Sequence, residues 1–151
     1  MQRLELVKDI AAPPERVFAI SLDVGVHAAS MAASGERVVG GVTAGQLLLG
    51  DEVTWRARHL GRSWQMTSRI AAYAPPDFFV DEQVSGPFAV WRHAHYFEPA
   101  ADGGTVMRDV VDFAAPCGLL GRLAEALVLN RYMTRLIRIR NRSLAAVCRC
   151  R

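Results

Sequence analysis

Two histidines and a few carboxylates on strand-like segments carry whatever chemistry this sequence can do. Residues Phe88 to Glu98 (FAVWRHAHYFE) alternate, so Trp91, His93, His95 and Phe97 share one face with Ala89, while Val90, Arg92, Ala94, Tyr96 and Glu98 take the other. The same parity turns Met107, Asp109, Val111 and Phe113 inward from Thr105 to Phe113, leaving Arg108 and Asp112 in water. In Asp51 to Leu60, Val53, Trp55, Ala57 and His59 oppose Arg56 and Arg58, and Met66 joins the inward set from Ser63 to Tyr73. Asp77 to Val84 fits both parities, and the reading adopted points Phe79, Asp81 and Gln83 inward.

Asp109 beside His93 or His95 has the composition of a general acid/base pair that moves protons at a carbonyl compound. The duller role is a hydrogen bond that fixes strand register. On the catalytic reading, His95→Ala and Asp109→Asn abolish turnover and leave melting nearly unchanged. His-x-His also sets two imidazoles on one side of a strand, as metal sites require, but the next carboxylate, Glu98, has the outward parity, and no metal is expected. No Gly-x-Ser-x-Gly elbow, phosphate-cradling glycine loop or dinucleotide fingerprint is present, so nucleophilic hydrolysis and nucleotide or nicotinamide chemistry lack support and no cofactor is expected.

From Leu119 to about Cys148 the period becomes helical, roughly 30 residues at about 100° each. Leu119, Leu123, Ala126, Met133, Leu136, Ile137, Leu144 and Val147 share one broad arc that is expected to be buried. Arg131, Arg135, Arg138, Arg142 and Arg149 fall on the opposite side, as a solvated back or as a surface for an acidic membrane or partner. Asn130, Thr134, Arg140 and Asn141 interrupt the apolar arc, and an arginine there needs a carboxylate, which Asp81 or Asp109 could supply. In a solid core each inward polar group costs about 1–3 kcal/mol unless partnered, a difficulty that a wet or ligand-filled pocket removes. The residues expected to meet a ligand are Trp55, His59, Met66, Phe79, Asp81, Gln83, Trp91, His93, His95, Phe97, Met107, Asp109, Phe113, Asn130, Met133, Ile137 and Arg140.

The elements that must position these residues begin with a strand over Arg3 to Ile10. Ala11-Ala12-Pro13-Pro14 closes it and opens a short helix that ends near Asp23 to Gly25, with Glu15 at its positive end and Val17, Phe18 and Leu22 at helical spacing. Val24 to Ser34 is alanine-rich and indistinct, consistent with a second short helix, and Glu36 to Gly40 starts the strand-rich region. Gly61-Arg62, Pro75-Pro76, Gly86-Pro87 and Asp102-Gly103-Gly104 separate the later strands as antiparallel hairpins require. The pattern is α+β: an antiparallel sheet curved around a long C-terminal helix, with a gap between them where chemistry would sit.

At 151 residues, 51 % hydrophobic and 22 % charged, the chain suits a single domain over 1–151 and is far from a disordered composition. No stretch approaches the roughly 18 apolar residues of a membrane span. Charges in MQRLELVKDI stand where a signal peptide needs an apolar core, so a cytoplasmic location is expected. Cys117, Cys148 and Cys150 imply neither a disulfide framework nor a cysteine metal site. Lys8 is the sole lysine among 18 basic residues, and the arginines are dispersed until the C-terminal segment with no nucleic-acid motif, so no nucleic-acid partner is expected; a homodimer is compatible with all of this.

The opening strand followed by APPERVFAI, then GDEVTWRARHLG, FVDEQVSGPFAVWRHAHYFEP and GTVMRDVVDFAAPCGLLGRL before the long terminal helix, resembles the SRPBCC or START-like superfamily over nearly the whole chain, in particular its bacterial ligand-binding and polyketide cyclase-like members. The resemblance implies the helix-grip fold: a curved seven-stranded antiparallel sheet wrapped around the C-terminal helix, two short helices after the first strand, and a deep apolar cavity. It implies binding of a small hydrophobic or amphipathic ligand such as a lipid or polyketide, or alternatively cyclase, aromatase or dehydratase chemistry using the cavity's His and Asp residues. No catalytic motif spans the superfamily, so no role is transferred by position, and His93, His95 and Asp109 stand as catalytic candidates on their chemistry alone.

Overall fold

The computed structural model describes residues 1–150, with Cys150 placed by its backbone. Strand β1 (Gln2–Ile10) leads into α1 (Pro14–Ser21), α2 (Val24–Ser30) and a single 3-10 turn, Ala32–Ser34. Six strands follow: β2 (Arg37–Gly41), β3 (Glu52–His59), β4 (Arg62–Ala74), β5 (Phe78–Ser85), β6 (Val90–Pro99) and β7 (Thr105–Ala114). The chain closes with α3 (Gly118–Ala124), a π-helical turn (Glu125–Leu129) and α4 (Asn130–Cys150).

Local chemistry sets these boundaries. Proline in the first turn starts α1, where a missing N–H costs nothing. Asp23 caps α2 by accepting the Val26 N–H at 3.0 Å. Leu60 and Gly61 both adopt positive φ, 53° and 74°, as a two-residue hairpin between His59 and Arg62 requires. The seven strands form one sheet in the order β1-β7-β6-β5-β4-β3-β2, every pair antiparallel. With the long C-terminal helix against it and two short helices after the first strand, this is the helix-grip fold.

The inner face of the sheet and the helices bury two apolar clusters. Phe18 of α1 centres one, its ring edge-on to Phe79 and Phe97 at 5.7 and 5.5 Å, with Met107, Leu144 and Cys148 around it. The second joins Leu4, Val111 and Phe113 to Ile137 of α4. A third cluster lies on the other side of the sheet, where Val80, Ala94 and Val110 are buried beneath Phe78 and Tyr96. The outward parity of Ala94 is correct, but outward does not mean wet here. Arg108 lies over the Tyr96 ring at 4.5 Å and helps to close that patch.

The C-terminal segment departs from the expected single helix with one buried arc. Leu119, Leu123 and Ala126 are exposed, and so are Leu120, Leu127 and Val128. At this end the side packed against the body carries Gly121 and Glu125, four residues apart. A Cβ at Gly121 would run into the Pro116 carbonyl, so glycine permits the close approach. Glu125 is buried, with Oε1 accepting the Ala115 N–H at 2.7 Å and Oε2 3.6 Å from the N-terminal amine. The π turn that follows inserts one residue, shifting the helical phase by about 100°. Beyond it the expected arc returns to the sheet, with Ile137 and Leu144 buried, while Arg131, Arg135, Arg138, Arg142 and Arg149 face outward. Among the described residues no helix is long and apolar enough to cross a membrane.

Candidate functional site

Register brings the polar residues of three strands together. Asp81 of β5 pairs with His93 of β6, Phe79 with His95, and His95 with Asp109 of β7, all on the concave face. Arg140 and Asn141 of α4 descend onto them. His93 Nε2 lies 2.7 Å from Asp109 Oδ1, and His95 Nε2 lies 2.7 Å from Asp81 Oδ2. Arg140 donates through Nη2 to the same Asp109 oxygen at 3.0 Å, and Asn141 donates to the other at 2.7 Å. Arg140 also donates through Nε and Nη2 to Oδ1 of the Asn141 side chain at 3.0 and 2.8 Å, so the guanidinium is held flat. His95 is stacked between Phe79 at 4.1 Å and His93 at 3.7 Å.

Above this cluster lies a cavity of about 370 Å³ between the sheet, α2 and α4. That volume suits a small-molecule site. Its floor is formed by His93, His95, Asp81 and Arg140, and its walls are mainly apolar, with Trp55, Met66, Phe79, Trp91, Met133 and Ile137 among them. Leu60, on the β3–β4 hairpin, and Pro116, ahead of α3, line the cavity and are also exposed, which places its mouth between those two loops. His59 reaches across that mouth to Tyr132 of α4, 2.8 Å from Nδ1 to the hydroxyl.

Of the residues expected to meet a ligand, Trp55, His59, Met66, Phe79, Asp81, Trp91, His93, His95, Met133, Ile137 and Arg140 line the cavity. Six others do not. Phe97 and Met107 pack around Phe18 in one core cluster, and Phe113 packs under Ile137 in the other. Gln83 bridges the β5–β6 connection, donating to the Phe88 carbonyl at 2.8 Å and accepting its N–H at 3.1 Å. Asn130 donates to Gln2 at 3.2 Å. Asp109 is fully buried behind His93 and Arg140. Strand parity selects a face, whereas the cavity covers only part of it.

Sequence reasoning missed Trp64, Tyr132 and His27. Trp64 pairs directly with Ala57 and so shares its inward face, a signal available once the β3–β4 register is counted. His27 of α2 faces Trp55 at 4.5 Å and bonds Glu36 at 3.0 Å, in a segment whose alanine-rich sequence gives no periodicity to read.

Burial and charge divide the protonation states. Burial pushes the His93 pKa down to about 4, aided by neighbouring His95, so at neutral pH the ring is uncharged. Its Nε2–H then donates to Asp109, which leaves Nδ1 with a lone pair. That atom has no protein partner among the described residues and is not fully enclosed, so it meets the cavity. Burial would raise the pKa of Asp81, but the hydrogen bond from His95 and the charge of Arg140 hold it down at about 2. Asp109 is held well below the ordinary carboxylate range for like reasons, against its own burial, with Arg140 the leading cause. The Asp81 side chain is 21 % exposed, and that exposure faces cavity space.

An imidazole with one nitrogen fixed by a carboxylate and the other open to a cavity has the form of a general base. His95 has both nitrogens engaged, since its Nδ1 is 3.3 Å from Asp109 and 3.4 Å from Arg140. Asp81, His93 and His95 present ligand-type atoms within 4.8 Å of one another, yet Arg140 borders the same space and each histidine already commits Nε2 to a carboxylate. The arrangement suits a proton network better than a cation.

Known structures share this architecture. A Thermus thermophilus protein superposes with a TM-score of 0.74 at 16 % identity, covering 97 % of this chain and 99 % of its own. A START superfamily protein from Mycobacterium smegmatis gives 0.70 at 11 %, covering 96 % and 98 %. A major latex-like protein from Panax ginseng gives 0.69 at 14 %, covering 96 % and 95 %. At these identities the likeness concerns the fold. No protein of curated function matches the sequence. The family model described as polyketide cyclase / dehydrase and lipid transport matches residues 1–149, and the chain belongs to that family.

Proposed function

We propose that this protein binds a small, largely apolar molecule in the cavity between sheet and α4, with the molecule's polar end on the floor formed by His93, Asp81 and Arg140. The observation that carries the reading is an apolar-walled space of about 370 Å³ ending on one compact polar cluster. The charges narrow the class. Asp81 is ionised, while Arg140 is already neutralised by Asp109, so the floor offers acceptors and no uncompensated cation. A hydroxyl, phenol or enol fits such a floor; a free carboxylate or phosphate does not. Native mass spectrometry and ligand-detected NMR against lipids and polyketide-like phenols test this. A neutral hydroxylated binder is expected, displaced when Ala57→Trp fills the cavity. If nothing in the panel binds, or the filled variant binds as well as the parent, the reading fails.

A second reading follows from His93. With Nε2 fixed by Asp109, its Nδ1 lone pair can remove a proton from carbon next to a carbonyl, the first step of a cyclisation or dehydration. In this arrangement His93 is the catalytic residue, and Asp109 and His95 position it. His93→Gln keeps a polar group of similar reach, so turnover should be lost while ligand binding persists. Undiminished turnover in that variant would refute the catalytic role.

A further inference from the structure

The segment that breaks the expected burial pattern is itself a surface. Leu119, Leu120, Leu123, Leu127 and Val128 are between 48 % and 81 % exposed, all within two helical turns and a π turn. They begin three residues after Pro116, which lines the cavity mouth, and precede Leu129, which also lines the cavity. An exposed apolar patch this dense marks an interaction site.

Charge identifies what it meets. Leu123, Leu127, Arg131 and Arg135 succeed one another at four-residue steps and are all exposed, so leucines and arginines form one ridge along the α3–α4 axis. Arg122 stands exposed among the leucines. From residue 113 to residue 149 the only carboxylate is Glu125, and it is buried. An exposed aliphatic cluster continued by cations without a compensating acid matches an interface of acyl chains beneath anionic head groups. A second copy across a two-fold axis through the leucines would leave the arginine row outside the contact, and one that covered the whole ridge would set leucines against arginines with no carboxylate to pair them. We propose that the α3, π-turn and early α4 ridge docks the protein on a bilayer bearing anionic phospholipids, with the cavity mouth beside the membrane.

The test is sedimentation with vesicles of phosphatidylcholine alone or mixed with phosphatidylglycerol, read on the protein without any cavity ligand. Its outcome is therefore independent of whether the cavity proves to hold the proposed molecule. Binding to the mixed vesicles is expected, weakened by added salt, and much poorer binding to the neutral ones. Leu123→Ser with Leu127→Ser should weaken it roughly tenfold or more, and each of Arg131→Gln and Arg135→Gln roughly fivefold. Circular dichroism should show the same melting for all of them, since the side chains are exposed. Equal binding to both vesicle types, binding to neither, or leucine variants that sediment like the parent would overturn the proposal. So would a dimer in analytical ultracentrifugation that the leucine substitutions dissolve, which would assign the patch to a second copy.

Discussion

Asp109→Asn removes one charge and almost no volume from a carboxylate surrounded by His93, His95, Arg140 and Asn141 at 2.7–3.3 Å. The guanidinium of Arg140, itself only 8 % exposed, then loses its direct counter-ion. Either orientation of the new amide also sets an N–H₂ against a donor, His93 and Arg140 on one side or Asn141 on the other. Breaking a buried ion pair by removing one partner costs about 3–5 kcal/mol. For a chain of this size, about 2–4 °C of melting per kcal/mol makes the expected drop roughly 6–20 °C. That reverses the expectation that melting stays nearly unchanged, because Asp109 is part of the packed interior and does not touch the cavity. The assay is thermal and urea unfolding of the parent, Asp109→Asn, Asp109→Leu, Arg140→Met and Asp109→Leu combined with Arg140→Met. Removing both charges should recover most of the loss. If Asp109→Asn melts within about 2 °C of the parent, or the double variant is worse than either single one, the ion pair is not what holds this corner together.

Three further outcomes follow. His93 titrates near 4 when folded and near 6.5 when unfolded, so between those values the unfolded chain binds the extra proton and stability rises with pH; roughly 3 kcal/mol is expected over that window, lost as pH falls toward 4. His59, also lowered by burial, acts in the same direction, so the check is a chemical-denaturation series in which His93→Gln flattens most of the rise. Gly121→Ala forces a Cβ onto the Pro116 and Ala115 carbonyls and should cost about 1–3 kcal/mol by urea unfolding, whereas alanine at exposed Leu120 should cost almost nothing. Met133→Trp, which extends a ring into the cavity from α4, should exclude the bound molecule in native mass spectrometry and leave the melting temperature within a few degrees.

How far the sequence could be read depended on whether one face of an element decides its pattern. In β6 and β7 it does, and His93, His95 and Asp109 were legible from parity alone because Trp91, Phe97, Met107 and Phe113 mark the inner side. β5 was ambiguous for a physical reason. Phe79 and Asp81 belong to the inner face, Phe78 and Val80 to the buried patch outside it, and a strand covered on both sides cannot alternate cleanly. The terminal helix misled because a wheel of about 100° per residue assumes constant phase, and nothing in EALVL announces a π turn. Gly121 and Glu125 at four-residue spacing were the available clue, since small and charged residues on the packed side signal a tight backbone approach and a carboxylate with a specific partner. The α2 and β2 region stayed illegible because alanine serves a buried face and an exposed one equally well.

The inner face carries too many titratable groups for a dry core, and their burial has a cost. The structure answers part of that cost without any ligand, because Asp109, Arg140 and Asn141 bond one another and each histidine has its carboxylate. Buried ion pairs, however, seldom stabilise a fold more than apolar residues of the same volume would. Stability therefore does not account for the cluster. What it supplies that leucine and methionine could not is three polar edges in fixed positions at one end of an oily cavity: the Asp81 carboxylate, the Arg140 guanidinium and the open Nδ1 of His93. Each is locked by groups behind it, so a molecule entering from the mouth meets them already oriented and loses little in arranging them. A carrier uses such a floor to choose which end of its cargo goes in first. A catalyst uses it to hold a carbonyl beside a base. The two uses differ only in whether the proton on the bound molecule lies within reach of His93.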